Sequence, residues 1–188
     1  FNNDRSTSNV QITAMAAGTS VNVLGNGSLT NADTTAAYDA TVTTGTLNFK
    51  GGVTAGAVAL NGTGLTTVAI GSSGANNVVG AVTTNSAVVT AVTIAAEKAL
   101  TVASLGIGGT TAASLTISGA AADVAATSTA AAHSAVVLGT LDTDFTSVTA
   151  SGLTAGGVSA TLSATTAATF VGGAGNDTLI NIENILGS

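Results

Sequence analysis

The feature that most limits the fold of this chain is a repeat of short alternating segments. Pairs of apolar residues at positions i and i+2 recur every 20 to 26 residues, with glycine or Asn-Gly turns between them. This spacing places both side chains on one face of a β-strand and leaves Thr, Ser or Asn on the other face. The principal series of pairs is Val21/Val23, Leu47/Phe49, Val68/Ile70, Val92/Ile94, Leu115/Ile117, Val136/Leu138, Ala160/Leu162 and Ile180/Ile182.

A second, weaker series lies between these pairs, so each period holds two or three short strands. This organisation predicts an all-β chain folded as a β-solenoid, of the parallel β-helix or β-roll kind, with coils of about 20–24 residues. The alternative is a β-sandwich, which also has turns at short intervals. Because a sandwich core is about 10 Å thick and only 3% of the residues are aromatic, the composition favours the narrower solenoid.

The charge balance excludes several classes of function. The chain has three basic and nine acidic residues and a net charge of −6, whereas nucleic-acid binding requires many cations to neutralise phosphates. The most apolar region, residues 86–109, is interrupted by Thr90, Thr93, Glu97 and Lys98, so we do not expect a transmembrane helix. We therefore expect neither a nucleic-acid-binding nor a transmembrane protein.

The low overall charge also suggests what the surface contacts. Only 6% of the residues are charged, against about 25% in a typical soluble domain. A surface with so few charges is poorly protected against association. We expect it to contact further coils of a longer chain or other copies of itself.

Catalysis has little support in the sequence. The single histidine, His133, lies among many Ser and Thr residues, and such a setting produces Ser-His pairs by chance. Nucleophile-elbow, P-loop and zinc-protease motifs are absent from the sequence. We expect a protein that is not an enzyme.

One stretch has the residue types that bind calcium. It is a glycine-rich turn ending in an acid, and its residues are Gly172, Gly173, Ala174, Gly175, Asn176 and Asp177. Calcium prefers six to eight oxygen ligands, and glycines that adopt positive φ can expose main-chain carbonyls. The stretch 71–77, GSSGANN, repeats the spacing with Asn76 in place of the acid. The D-x-D pair Asp142 and Asp144 is a second, weaker candidate for chelation, against the alternative of a solvated turn.

Residues 172–180, GGAGNDTLI, match the pattern G-G-x-G-x-D-x-U-x at every defined position. Here the chain resembles the repeats-in-toxin (RTX) family of secreted calcium-binding proteins. The resemblance implies that Asp177 is the side-chain ligand and that carbonyls of residues 172–176 complete half a calcium site. A second stacked turn would supply the other half.

Two flanking segments extend the resemblance. INIENILGS, residues 180–188, is similar to the strand and turn found beside RTX repeats, and the Ala/Thr-rich residues 146–179 are similar to coils of bacterial surface-layer proteins and large RTX adhesins. We therefore expect a solenoid scaffold over residues 1–168. Residues 169–188 would form an RTX-like calcium turn and a following strand that continue in a longer parent protein.

The resemblance implies a structural segment of a secreted, calcium-dependent bacterial surface-layer-type protein that self-assembles on the cell surface. The alternative is a segment of an RTX adhesin or autotransporter-like passenger. Its expected partners are other copies of itself and, through another part of the parent, a cell-surface polysaccharide. Its expected location is extracellular.

Overall fold

A computed structural model describes residues 1–27, 30–162 and 167–180 as a series of short strands. In chain order these are β1 (Asn2–Asp4), β2 (Val10–Met15), β3 (Ser20–Leu24), β4 (Thr30–Asn31), β5 (Thr34–Tyr38), β6 (Thr44–Lys50), β7 (Thr54–Ala55), β8 (Val58–Asn61), β9 (Thr67–Ser73), β10 (Asn77–Thr84), β11 (Ala91–Ala96), β12 (Leu100–Gly106), β13 (Ala113–Ala122), β14 (Val136–Leu141), β15 (Phe145–Ala155), β16 (Val158–Thr161), β17 (Thr169–Val171) and β18 (Thr178–Ile180). Within these residues, no helix has the length and apolar character needed to cross a membrane.

The strands form two sheets that the chain visits alternately. The first sheet has the order β1-β3-β6-β9-β11-β13-β15-β17, and the second has the order β18-β16-β14-β12-β10-β8-β5-β2, with β4 and β7 joined to its β10 side. Neighbouring strands in both sheets are parallel. The chain is therefore a β-solenoid of about seven turns, as predicted, and the parallel pairing rules out the alternative β-sandwich, whose sheets are antiparallel.

Aliphatic side chains from successive coils stack to form the core. In β9 buried and half-buried residues alternate along the strand, as the i, i+2 pattern requires. One inward column runs through Val21, Leu47, Ile70, Ile94 and Ile117, each almost fully buried. Each coil thus covers the apolar residues of the coil before it, which an isolated coil could not bury.

One coil is longer than the others. Most register partners in adjacent coils are 22 to 24 residues apart, but Leu115 pairs with Val148, 33 residues later. The extra length is residues 123–135, here called the inserted segment. The predicted principal series is wrong at this point: it continues from Leu115 to Val136, but Val136 lies in the second sheet beside Leu100. An insertion of about half a coil shifts a sequence repeat of constant length from one sheet to the other.

Each coil turns twice, and the turn from the first sheet to the second is here called the first corner. In successive coils it includes residues 4–10, 24–27 with 30, 50–54, 73–77, 96–100, 122–136, 155–158 and 171–178. The return turn from the second sheet to the first is called the second corner. The inserted segment and the predicted calcium turn both lie at the first corner, which brings them together.

Candidate functional site

The predicted calcium turn, residues 172–177, joins β17 to β18 at the first corner of the last described coil. Asp177 is exposed, and its Oδ1 accepts hydrogen bonds from the main-chain N–H of Val158 at 2.8 Å and of Gly173 at 3.4 Å. Val158 begins β16 in the preceding coil. The carboxylate therefore closes its own turn and also caps a main-chain donor of the neighbouring coil.

The glycines of this turn are required by close contacts. A Cβ at Gly173 would lie 2.5 Å from the carbonyl oxygen of Gly156, and one at Gly175 would lie 2.5 Å from the nitrogen of Gly157. Neither residue has a φ angle in the left-handed region. The expectation that these glycines adopt positive φ is therefore wrong, and they are small because the neighbouring coil is close.

Asn176 is held by two side chains from the inserted segment. Its main-chain N–H donates to Asp123 Oδ2 at 3.0 Å, and its carbonyl accepts a hydrogen bond from Ser134 Oγ at 2.8 Å. Ala174 N–H also donates to the carbonyl of Leu153, at 3.1 Å. The Asn176 carbonyl, which the calcium prediction counts among the ligands of the ion, thus accepts a hydrogen bond from the Ser134 hydroxyl.

Asp123 connects three coils through main-chain donors. Besides Asn176, its carboxylate accepts hydrogen bonds at Oδ1 from Gly157 at 2.7 Å and from Ala135 at 2.9 Å. These bonds, that from Gly157 above all, hold the pKa of the Asp123 carboxyl below its ordinary value of 3.8, against the opposing effect of partial burial. The positive field of His133 acts in the same direction.

A cleft of about 320 Å³ opens between the inserted segment and the first residues of β14, β16 and β18 in the second sheet. Its lining residues are Asp123, Val124, Ala132, His133, Ser134, Val137, Ser159, Asn176 and Thr178. His133 is exposed, and its Nδ1 lies 2.8 Å from the main-chain carbonyl of Ser134. The Ser134 hydroxyl itself donates to Asn176, so this hydroxyl positions the turn.

Sequence reasoning missed Asp123 and Ser134. The contact between Asp123 and Asn176 joins residues 53 positions apart, and no local motif marks it. A signal was nevertheless available, because Asp123 is the only acidic residue between Glu97 and Asp142. A single carboxylate in so long an uncharged stretch indicates a specific partner.

The stretch 71–77 runs from the end of β9 through the first corner of an earlier coil, with Asn77 in the role of Asp177. Asn77 Oδ1 accepts hydrogen bonds from the N–H of Val53 at 2.8 Å and of Gly52 at 3.2 Å. The two corners have the same register. The residue after Asn77, Val78, pairs with the residue after Val53, and the residue after Asp177, Thr178, pairs with the residue after Val158. The residue that replaces the acid is therefore Asn77 and not Asn76, because the earlier corner is aligned by register rather than by glycine spacing.

Asp142 and Asp144 lie at the second corner, apart from the turn 172–177 along the coil. Asp142 Oδ2 accepts a hydrogen bond from the N–H of Ile107 at 3.1 Å, and its Oδ1 accepts one from Asp144 N–H at 3.2 Å. Asn85 makes the equivalent bond in an earlier coil, accepting from Gly62 N–H at 3.1 Å. Asp142 thus has a capping role, and chelation by the pair stays a prediction.

The donor chemistry of the turn 172–177 suits calcium, because a carboxylate and main-chain carbonyls are the oxygens that this ion prefers. Across residues 1–27, 30–162 and 167–180, no group of three or more His, Cys, Asp or Glu side chains could hold a metal ion. Asp177 is the one carboxylate of the turn, and the calcium half-site stays a prediction. Most of the segment 180–188 that resembles RTX-flanking sequence lies outside the described residues.

Comparison of the chain with protein-family models, with curated proteins and with solved structures gives no match.

Proposed function

We propose that this chain is a structural segment of a secreted, calcium-dependent bacterial surface-layer-type protein that self-assembles on the cell surface. The observation that carries the proposal is the uncharged middle of the outer face of the first sheet, whose strands carry charged side chains only at the strand ends, at Asp4 and Lys50. Its central column of outward residues comprises Thr46, Ala69, Thr93, Thr116 and Thr149, which are in register in successive strands. Small, uncharged side chains on a regular sheet allow close lateral packing of copies without repulsion between charges.

The corner geometry supports a stiff segment. Side chains at both corners bond to main-chain donors of adjacent coils, as Asn77 does to Val53 and Asp142 to Ile107. Asp33, between β4 and β5, makes the same kind of bond to Ala57. Each such bond between coils opposes bending or separation at the corner. A rod of fixed length is useful in a surface array, where it sets the distance between neighbours.

Calcium enters the proposal through Asp177. Its exposed carboxylate and the neighbouring carbonyls are oxygen donors at the first corner, where an ion could link this turn to a second turn of the parent or of another copy. Bound calcium would supply positive charge that holds two such turns together.

The proposal is tested by sedimentation velocity of the purified chain at high concentration, with calcium and with EGTA. We expect larger species in calcium that dissociate in EGTA. Asp177→Ala should abolish this response, whereas Asp33→Ala, a matched change of another capping acid that lies between β4 and β5, should preserve it. A chain that remains monomeric under both conditions would refute self-assembly, and assembly that is identical in EGTA would refute the role of calcium.

A further inference from the structure

The inserted segment leaves the solenoid after β13 and returns to it at β14, beside the last described coil. Its two arms form an antiparallel bridge in which Val124 and His133 exchange main-chain hydrogen bonds of 2.9 and 3.0 Å. The N–H of Thr127 donates to the carbonyl of Ala130 at 2.8 Å, which closes the tip. The segment is thus a short hairpin whose base, Asp123 and Ser134, lies at the first corner.

The base of this hairpin binds both main-chain polar groups of one residue in the predicted calcium turn. Asp123 accepts the N–H of Asn176 and Ser134 donates to its carbonyl, at 3.0 and 2.8 Å. Two such bonds fix the orientation of the peptide groups on either side of Asn176. The adjoining strands β17 and β18 have only three residues each, so pairing within the sheets contributes few bonds to this coil.

Glycines make this approach possible. A Cβ at Gly157 would overlap the main chain of Asn176, and one at Gly175 would lie 2.7 Å from Asp123 Oδ2. A Cβ at Gly156 would likewise collide with the Cβ of Ala135. Residues from the inserted segment, from the following coil and from the turn therefore meet at a point where larger residues would keep them apart.

We propose that the inserted segment is an intramolecular clamp that orders the turn 172–177 through the hydrogen bonds of Asp123 and Ser134 to Asn176. The clamp holds the turn through protein hydrogen bonds, so the order of the last coil does not depend on calcium. This inference goes beyond the proposed function and stands independently of it. It assigns a role to the inserted segment, which lengthens its coil.

The test is amide hydrogen exchange of the full chain in EGTA, read at Asn176, Gly157 and Ala135. Asp123→Ala should accelerate exchange at all three amides by at least about tenfold, since each loses its acceptor. Asp123→Asn retains one acceptor oxygen and should accelerate exchange mainly at Asn176. Ser134→Ala should accelerate exchange in the turn 172–177 alone, and the matched control Asp33→Ala should leave all three amides unchanged.

The outcomes separate the clamp from the calcium role. Unchanged exchange at Asn176 in both Asp123→Asn and Ser134→Ala would overturn the clamp, as would protection of wild-type Asn176 that appears only after calcium is added. Protection in EGTA without calcium-dependent assembly would support the clamp and refute the proposed function. Circular dichroism of each variant shows whether the solenoid is intact, and Ser134→Ala, which removes a single oxygen, keeps the test open if the Asp123 variants do not fold.

Discussion

Two first corners of the solenoid perform the same task with different residues. Asn77 and Asp177 each place Oδ1 at 2.8 Å from a main-chain N–H of the preceding coil, Val53 in one case and Val158 in the other. Asn77 is 1% exposed, and its Nδ2 donates to Ser72 Oγ at 2.9 Å and to the carbonyl of Ala75 at 2.8 Å. Asp177 is exposed.

The comparison shows that capping a coil requires an oxygen acceptor and does not require a charge. At the buried corner an amide is suitable because it also supplies donors to nearby oxygens. At the exposed corner a carboxylate is tolerated because water solvates it, and there it retains a negative charge that a cation could use. The charge at position 177 is not needed for the cap, and the proposed binding of calcium gives it a use.

The largest effect should come from Asn77→Asp. The new carboxylate would be buried and would face the oxygens of Ser72 and Ala75, which now accept hydrogen bonds from the amide. An uncompensated buried charge costs about 3–5 kcal/mol. Urea denaturation should show this loss in the free energy of unfolding.

The neighbouring change Asn76→Asp is the matched control, since Asn76 is exposed. It should alter the free energy of unfolding by no more than about 0.5 kcal/mol. Equal effects of the two substitutions would contradict the assignment of the capping role to Asn77.

The second prediction concerns the close contact between Gly157 and Asn176, at the first corner that contains Asp177. Gly157→Ala would place a methyl group against the main chain of Asn176, and overpacking of this kind costs about 1–3 kcal/mol. Gly106→Ala is the control, because a Cβ there makes only ordinary contacts at 3.5 Å or more. If thermal denaturation gave equal melting temperatures for the two variants, the three-coil contact would be looser than described.

The solenoid itself could be predicted from the sequence because its cause is local. Alternation such as that of Val92 and Ile94 determines which face of a strand is buried, and its recurrence gives the length of a coil. The coil interior is filled mainly by aliphatic side chains, as the composition indicated, although Phe49 and Phe145 are its largest fully buried residues. Sequence reasoning therefore identified the fold class and the regular period.

The candidate site could be predicted only in part, because its contacts depend on register between coils. The glycine-rich turn identified Asp177, but the partners of Asn176 come from a segment that breaks the period. Without knowing that residues 123–135 are inserted, no pattern places Asp123 beside the turn. The same insertion moved the predicted series from one sheet to the other.

The third prediction separates the cap from the charge at position 177. In EGTA, Asp177→Asn should change the free energy of unfolding by no more than about 0.5 kcal/mol, because an amide oxygen can accept the same hydrogen bonds, as Asn77 does. Calcium at a hundred times its Kd should stabilise the wild type by about 2.7 kcal/mol, and the variant should lose this gain. Melting temperatures measured with and without calcium test both parts.

Asp33→Asn serves as the control for that experiment and should retain the full calcium response. A large loss of stability for Asp177→Asn in EGTA would show that the cap needs the charge. A calcium response that persists in the variant would place the ion elsewhere.

The smallest effect should be the acid response of Asp123. Its pKa is lowered in the folded protein, chiefly by the hydrogen bond from Gly157, so its ionised form stabilises the fold. This contribution is complete above the ordinary pKa of 3.8 and is lost as the pH falls through the lowered, folded-state value.

Asp123→Asn cannot titrate, so the difference in stability between wild type and variant should shrink as the pH falls below about 4. His133 is the other titratable group facing this carboxylate, and because its charge also lowers the pKa of Asp123, its interaction with the carboxylate is part of the measured difference. Urea denaturation from pH 6 to the acid limit of the folded state measures the difference, and a difference that stays constant with pH would mean that the charge of Asp123 adds nothing to its hydrogen bonds.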